Sequence, residues 1–328
     1  MAYSRTLSEL ELAVRREADM VNSQFVTSAE VRAYINQSWA ELYDRIVLFD
    51  QEYLLRYVEI TSTGAGEYDI LNAGKNGQVI SLSWIVPSGT GYAVGDVIQL
   101  TQPSTGANTC WATVTTVTGI GAVSAATVIV VGKGYVSDST SSFFATLNMS
   151  PISGVGVGGV AVGYIESDFY KCKGVWYGSG TAGNTSTFNP LRRFMWDEQN
   201  LLRQAGIYEG SNELPYYRIY TVNGRELLSI APDTLGGIYR VYYYPAPQRM
   251  LIDNDRVDGR AGWDEWVVKD SAIKCLLKEE SVEQAAAIKV IRDELFQRFQ
   301  LHASERDAAQ PERIRRTALL SNRYGWWR

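Results

Sequence analysis

A glycine run near the middle of the chain is the first segment whose residue types could bind a cofactor. Gly154–Gly159 matches the GxGxxG pattern of dinucleotide-binding turns at every letter. Such a turn binds pyrophosphate only where it opens a helix, because the N-terminus of that helix must meet the phosphates. The residues that follow, Val160–Tyr164, have the composition of a strand. The run therefore predicts a turn before a strand, and no cofactor is expected.

Three aspartates late in the chain are spaced somewhat like a calcium-binding loop. Asp253, Asp255 and Asp258 precede Gly259. Such loops require a DxDxDG order and a glutamate at the twelfth position. That order is missing here, and the twelfth position is Asp264. The segment therefore predicts a solvated turn before a helix, and no metal is expected.

The remaining residues with catalytic chemistry are isolated in the sequence. Cys110, Cys172 and Cys275 are widely separated and share no CxxC spacing, which predicts buried thiols. The single histidine, His302, has no Ser or Cys nucleophile signature near it. A catalytic carboxylate pair stays open, because the 36 acidic residues show no spacing that distinguishes two of them. We therefore predict a protein that is not an enzyme.

Two pairs of helices are predicted, one at each end of the chain. The stretch Thr6–Val21 carries one apolar stripe, and Thr27–Glu30 is a capping box that opens a second amphipathic helix. Near the C-terminus the segment Gly262–Asp264 opens one helix with Asp264 as its N-cap, and another helix starts at Ser281. The second pair predicts a helical hairpin.

Strands are predicted between these pairs, in apolar and aromatic runs separated by turn residues. The runs are Tyr216–Tyr220, Glu226–Ile230 and Ile238–Tyr244. Asn223-Gly224 between the first two is a strong hairpin signal, because both residues adopt the positive φ that a tight turn needs.

A change of composition marks a separate module at residues 72–166. Only five of its residues are charged, whereas 15 of the 29 glycines fall there. Short Val, Ile and Thr runs between Gly, Pro, Ser and Asn predict strands and tight turns. The segment Ser88–Tyr92 recurs 43 positions later as Val131–Tyr135. Two related β-units in tandem are the simplest explanation.

Charge is distributed unevenly along the chain, whose formal net charge is -5. Residues 306–328 hold six arginines against Asp307 and Glu312, a local balance of +4, so the rest carries -9. An acidic body argues against general nucleic-acid binding. No apolar run approaches the roughly 18 residues of a spanning helix, and no membrane partner is expected.

The last residues form an arm with arginines beside large apolar side chains. Two adjacent tryptophans free in water would be an exposed apolar liability, whereas aromatic and arginine side chains contribute most of the binding energy in protein interfaces. The arm therefore predicts a contact with a partner, and the alternative is that it packs on its own helical domain. The predicted contact residues are Arg313, Arg315, Arg316, Leu319, Leu320, Arg323, Tyr324, Trp326 and Trp327.

Outside the module, the order of segments resembles the head-to-tail adaptor (connector, or tail tubular A-like) proteins of tailed bacteriophages. A helix ending in Trp39–Asp44 is followed by the strand Tyr57–Ile60 and by Glu67–Leu71. In that family, a segment like Ser167–Lys171 follows at once, so the module looks like an insertion. The resemblance resumes at the aromatic strand Tyr239–Pro247. It continues through Asp253–Asp258, Gly262–Val268, Lys278–Glu280 and Arg306-Asp307.

The resemblance implies a fold class and a division into domains. The expected fold is α+β, with a helical adaptor core, a small antiparallel sheet and an inserted all-β repeat module. Residues 1–71 and 167–305 would form the discontinuous core, residues 72–166 the glycine-rich module, and residues 306–328 the C-terminal arm.

The resemblance also implies a function and partners. Adaptors form a homo-oligomeric ring, typically of about twelve subunits, that extends the DNA channel between the portal and the tail. The expected partners are the portal protein, reached by the arm, a downstream tail or nozzle protein, and double-stranded DNA that passes through the lumen without sequence-specific contacts. Such a protein is assembled in the host bacterial cytoplasm and resides in the neck of the virion. The alternative is a tail-fibre or surface-adhesion protein whose β-module binds carbohydrate.

Overall fold

The computed structural model describes residues 5–21, 23, 25–49, 54–83, 87–138, 143–178, 187–198, 214–233, 236–257 and 263–305. The chain divides into two compact units. One comprises Met1–Gln51 together with Asp253–Arg328, and the other comprises Glu52–Ile252.

Within the described residues, helices belong mainly to the first unit and strands to the second. The helices are α1 (Leu7–Glu17), α2 (Ser28–Phe49), α3 (Ile70–Gly74), α4 (Trp263–Lys278) and α5 (Val282–Glu305). The strands are β1 (Arg56–Thr61), β2 (Glu67–Asp69), β3 (Gly77–Ser83), β4 (Val97–Gln102), β5 (Ala107–Val117), β6 (Val123–Val131), β7 (Phe144–Pro151), β8 (Val160–Ser167), β9 (Phe169–Gly178), β10 (Phe188–Pro190), β11 (Arg192–Arg193), β12 (Tyr216–Val222), β13 (Arg225–Ala231) and β14 (Ile238–Pro245).

The expected fold class, α+β with a helical adaptor core and a small antiparallel sheet, is wrong. The described part of the chain is mostly β, with fourteen strands in three sheets. Eight of these strands lie outside the predicted module, where they form two four-stranded sheets. β9 was missed because Lys171, Lys173 and Gly174 interrupt its apolar pattern. Pairing with β14 on one side and β10 on the other makes it a central strand despite those residues.

The two four-stranded sheets pack face to face. Their strand orders are β1-β14-β9-β10 and β11-β12-β13-β2, and every pair is antiparallel except β11 with β12. Buried side chains from both sheets form one hydrophobic cluster, which includes Ile60, Val175, Leu228 and Tyr239. The predicted hairpin at Asn223-Gly224 is confirmed, since both residues have positive φ between β12 and β13.

The third sheet has six strands in the order β3-β8-β7-β4-β5-β6 and forms a nearly closed barrel. An antiparallel bridge joins Gly77, at the start of β3, to Tyr135, just after β6, and so brings the two edges of the sheet together. If β3, β4 and β5 are exchanged with β6, β7 and β8 in this order, the result is the same order read backwards. The two halves of the sheet therefore have equivalent topology, as an internal repeat predicts. Alternate residues of the strands, such as Leu100, Ala112 and Leu147, fill the interior.

The repeated Gly-x-Gly-Tyr turns have the same conformation in both halves of the barrel. Gly89 and Gly91 have φ of 79° and 75°, and Gly132 and Gly134 have φ of 65° and 88°. Only glycine adopts these values without steric cost. Each pair turns the chain so that the next tyrosine, Tyr92 or Tyr135, enters the core.

The helical unit is built around α4, which is buried on most sides. α1 begins with a capping box between Thr6 and Glu9, and α2 begins at the predicted box between Thr27 and Glu30. The predicted N-cap at Asp264 is wrong, because α4 already begins at Trp263 and the carboxylate of Asp264 is buried.

The predicted boundaries between core, module and arm stay a prediction. The barrel extends over Gly77–Ser167, close to the predicted module, but it belongs to the same compact unit as the two flanking sheets. The other unit contains α1, α2, α4 and α5.

Candidate functional site

The glycine run that matches a dinucleotide turn lies in the loop before β8, so a strand follows it and not a helix. Gly158 and Gly159 have positive φ. A side chain at Gly156 would collide with the ring of Tyr92. The glycines therefore allow the backbone conformation of the turn and its close packing on Tyr92.

The aspartate-rich loop is hydrogen-bonded to the start of α1. The backbone carbonyls of Asp253 and Asp255 accept hydrogen bonds from the amides of Ser8 and Leu7, at 3.3 and 2.8 Å. The carboxylate of Asp253 accepts a bond of 2.6 Å from Arg32. Asp258 and Gly259 lie outside the described residues. Across the residues that the structure describes, no three His, Cys, Asp or Glu side chains are grouped so that they could hold a metal ion.

The three cysteines are free thiols with little nucleophilic character. Cys110 and Cys275 are buried as predicted, whereas Cys172 is only partly buried. Desolvation by the surrounding protein raises the pKa of Cys110 and of Cys172 to about 12, and that of Cys275 to about 11. Such thiols stay protonated near neutral pH, whereas the thiolate is the nucleophile and the metal ligand. His302 lies in α5, and its side chain is outside the described part of the structure.

The arm predicted to contact a partner follows α5 directly, and all of it lies outside the described residues. Its predicted contact residues are Arg313, Arg315, Arg316, Leu319, Leu320, Arg323, Tyr324, Trp326 and Trp327. Their role stays a prediction.

α5 itself has an apolar surface that sequence reasoning did not single out. One side of the helix packs on α4 through the buried Ala285 and the half-buried Ile288. Away from α4, a stripe of aliphatic residues is exposed, with Val282 62% and Val290 60% exposed. We call this stripe the α5 outer face and define it by Val282, Ala286 and Val290, which lie within about 80° of one another around the helix axis. The spacing of four residues between them was the available signal.

α5 is fixed on α4 by a buried charge cluster. Asp270, 3% exposed, is 2.9 Å from the amine of Lys274 and 2.7 Å from the guanidinium of Arg292 on α5. Burial alone would raise the pKa of Asp270, but hydrogen bonds from Lys274, Ser38 and Arg292 hold it below the usual value. The cluster joins the two helices, and removing either partner would leave a buried charge uncompensated.

A second polar cluster anchors the barrel to the flanking sheet. Arg225, 6% exposed, forms an ion pair with Asp69 and donates to the hydroxyl of Ser137 at 2.9 Å. Ser137 in turn donates from its amide and its hydroxyl to the side-chain oxygen of Asn72, each at 3.0 Å. The guanidinium of Arg225 lies 4.7 Å from the ring centroid of Phe143. We call these five residues the module junction.

No known protein-family model matches the chain, and a comparison with the curated proteins found no match. Within the described residues, no helix is both long and apolar enough to cross a bilayer.

Proposed function

We propose that this chain is a structural protein of a tailed-phage particle that assembles into a ring between the portal and the tail. The observation that carries the proposal is the α5 outer face, an exposed aliphatic stripe on a helix that packs on α4. Exposed apolar clusters of this kind are typical of protein interfaces. The occupant we propose for the face is a neighbouring copy of this chain, because ring assembly uses the same interface between every pair of subunits.

The charge of the chain supports the same proposal. The body carries -9 outside the arm, so a channel lined by it would repel phosphates and let DNA pass without tight contacts. The buried thiols and the carboxylates held in ion pairs fit a protein that works through assembly rather than catalysis. The arm is proposed to contact the portal protein.

The proposal is tested by the oligomeric state of the full chain in solution. We expect a ring-sized oligomer by light scattering and electron microscopy. Val290→Asp should weaken association by at least ~100-fold, since a carboxylate buried without a partner costs several kcal/mol. Val94→Asp is the matched control, because Val94 is 64% exposed in the barrel.

The two variants should have the same thermal unfolding temperature as the natural chain. A natural chain that is monomeric at every concentration measured would overturn the proposed ring. Equal oligomerisation by Val290→Asp and Val94→Asp would overturn the assignment of the interface to α5.

A further inference from the structure

A cleft of about 700 Å³ opens where the barrel meets the flanking sheet. β1 contributes Arg56 to its wall, the end of α3 contributes Lys75, and the second Gly-x-Gly-Tyr turn contributes Lys133. Asp168 and Tyr243 also line it. The cleft is shallow and largely open to solvent.

The negative charges in the cleft are already compensated. Asp168, 4% exposed, accepts a hydrogen bond of 2.8 Å from Tyr243 and one of 3.3 Å from Arg56. Glu59, on the same wall, pairs with Arg240 at 2.5 Å.

Two lysines of the cleft lack a direct ion pair in the part of the chain that the structure describes. Within the described residues, neither Lys75 nor Lys133 has an ion-pair partner. Lys133 is an exposed residue, yet partial desolvation lowers the pKa of its amine, and repulsion from Arg56 lowers it further against the attraction of Asp168. An anion bound beside Lys133 and Arg56 would reduce the repulsion between these two side chains.

Both lysines are carried by backbone of defined conformation. Lys75 is the left-handed C-cap of α3, with φ of 51°. Lys133 lies between Gly132 and Gly134, and its amide donates to the hydroxyl of Thr109 at 2.8 Å. The equivalent position in the first repeat is Thr90, so the lysine is specific to the copy of the turn that borders the cleft.

We propose that this cleft binds a small anion with a phosphate or carboxylate group, held by Lys75 and Lys133 beside the Arg56–Asp168 pair. The anion would contact the barrel and the flanking sheet together. Its binding would therefore stabilise the folded state.

The test is calorimetric titration of the full chain with inorganic phosphate and, separately, with citrate, at constant ionic strength in sodium chloride. We expect saturable binding of at least one of these anions. The double variant Lys75→Gln, Lys133→Gln should weaken binding by at least about tenfold. Lys133→Arg keeps the charge and should retain most of the affinity. The matched control is Lys171→Gln with Arg249→Gln, two exposed basic residues outside both the cleft and α5.

A second readout separates binding in the cleft from general charge screening. NMR titration of labelled lysine amines should show the pKa of Lys133 rising when the anion is added. Thermal melts must show that all variants are folded. Absence of saturable binding by the natural chain, or equal binding by the cleft and control variants, would overturn the proposal. The ring proposal would be unaffected, because its test uses α5.

Discussion

Tyr92 and Tyr135 occupy equivalent positions in the two halves of the barrel, but their hydroxyl groups form different hydrogen bonds. Tyr135 donates to the carbonyl of Leu100 at 2.6 Å and accepts from the amide of Cys110 at 3.0 Å, in a fully buried site. Tyr92 donates only to the carbonyl of Gly158, at 2.8 Å, in a partly buried site. The two residues therefore form a matched pair for measuring what a buried hydroxyl contributes.

We expect Tyr135→Phe to destabilise the protein more than Tyr92→Phe. Losing the Tyr135 hydroxyl leaves two buried backbone groups without a partner, which costs about 2–3 kcal/mol, whereas the Tyr92 change costs about 1 kcal/mol. Urea denaturation of both variants measures the difference in the free energy of unfolding. Equal losses would show that the two turns are equally buried in solution.

At the scale of elements, the barrel and the two-sheet sandwich each have their own buried cluster. The module junction joins them through Arg225, which contacts Ser137 and Phe143 from the barrel side. Leu71, just before the barrel, is also buried in the barrel cluster. The barrel and the sandwich therefore have separate hydrophobic cores and are joined by a few specific contacts.

We expect deletion of residues 73–165, replaced by a short Gly/Ser linker, to leave the sandwich folded with a lower free energy of unfolding. The loss should be about 1–3 kcal/mol, because Arg225 and Leu71 lose their barrel contacts while the ion pair of Arg225 with Asp69 remains. Circular dichroism during urea unfolding is the measurement.

A full-length Arg225→Met variant is the companion to this deletion. It leaves Asp69 buried without its partner and should cost more, about 3–5 kcal/mol. Loss of cooperative unfolding in the deletion variant would show that the sandwich depends on the barrel for its fold.

At the scale of the whole molecule, charge is separated between an acidic body and a basic arm. The arm carries Tyr324, Trp326 and Trp327 next to its arginines. Such a segment combines large apolar area with charges that steer association. The proposed partner of the arm is the portal protein.

We expect a chain cut after Gln310 to remain folded and to lose its attachment to portal rings. The double change Trp326→Ala, Trp327→Ala should weaken attachment by at least ~100-fold at unchanged stability of the remainder, since each buried tryptophan contributes several kcal/mol by area. Co-sedimentation with portal rings measures this, and added salt should weaken binding further. If the shortened chain binds portal rings as well as the full chain does, the alternative is favoured, in which the arm packs on its own helical domain.

The helices and the internal repeat could be predicted because their signals are local. The Thr27–Glu30 capping box lies within one turn, and the two Gly-x-Gly-Tyr turns are visible as a repeat of residue types. The extent of the β-structure could not be predicted in the same way. β9 carries charged residues and glycine, and only its hydrogen bonds to β14 and β10 make it a strand.

The sequence by itself determined the turns, the terminal helices, the uneven charge and the isolation of each cysteine, because these depend on neighbouring residues or on composition. Tertiary structure alone decided which distant side chains meet. Arg225 and Asp69 are 156 positions apart, and their ion pair depends on the register of β13 against β2. The cleft and the α5 outer face follow the same rule, since packing determines which apolar and charged side chains stay exposed.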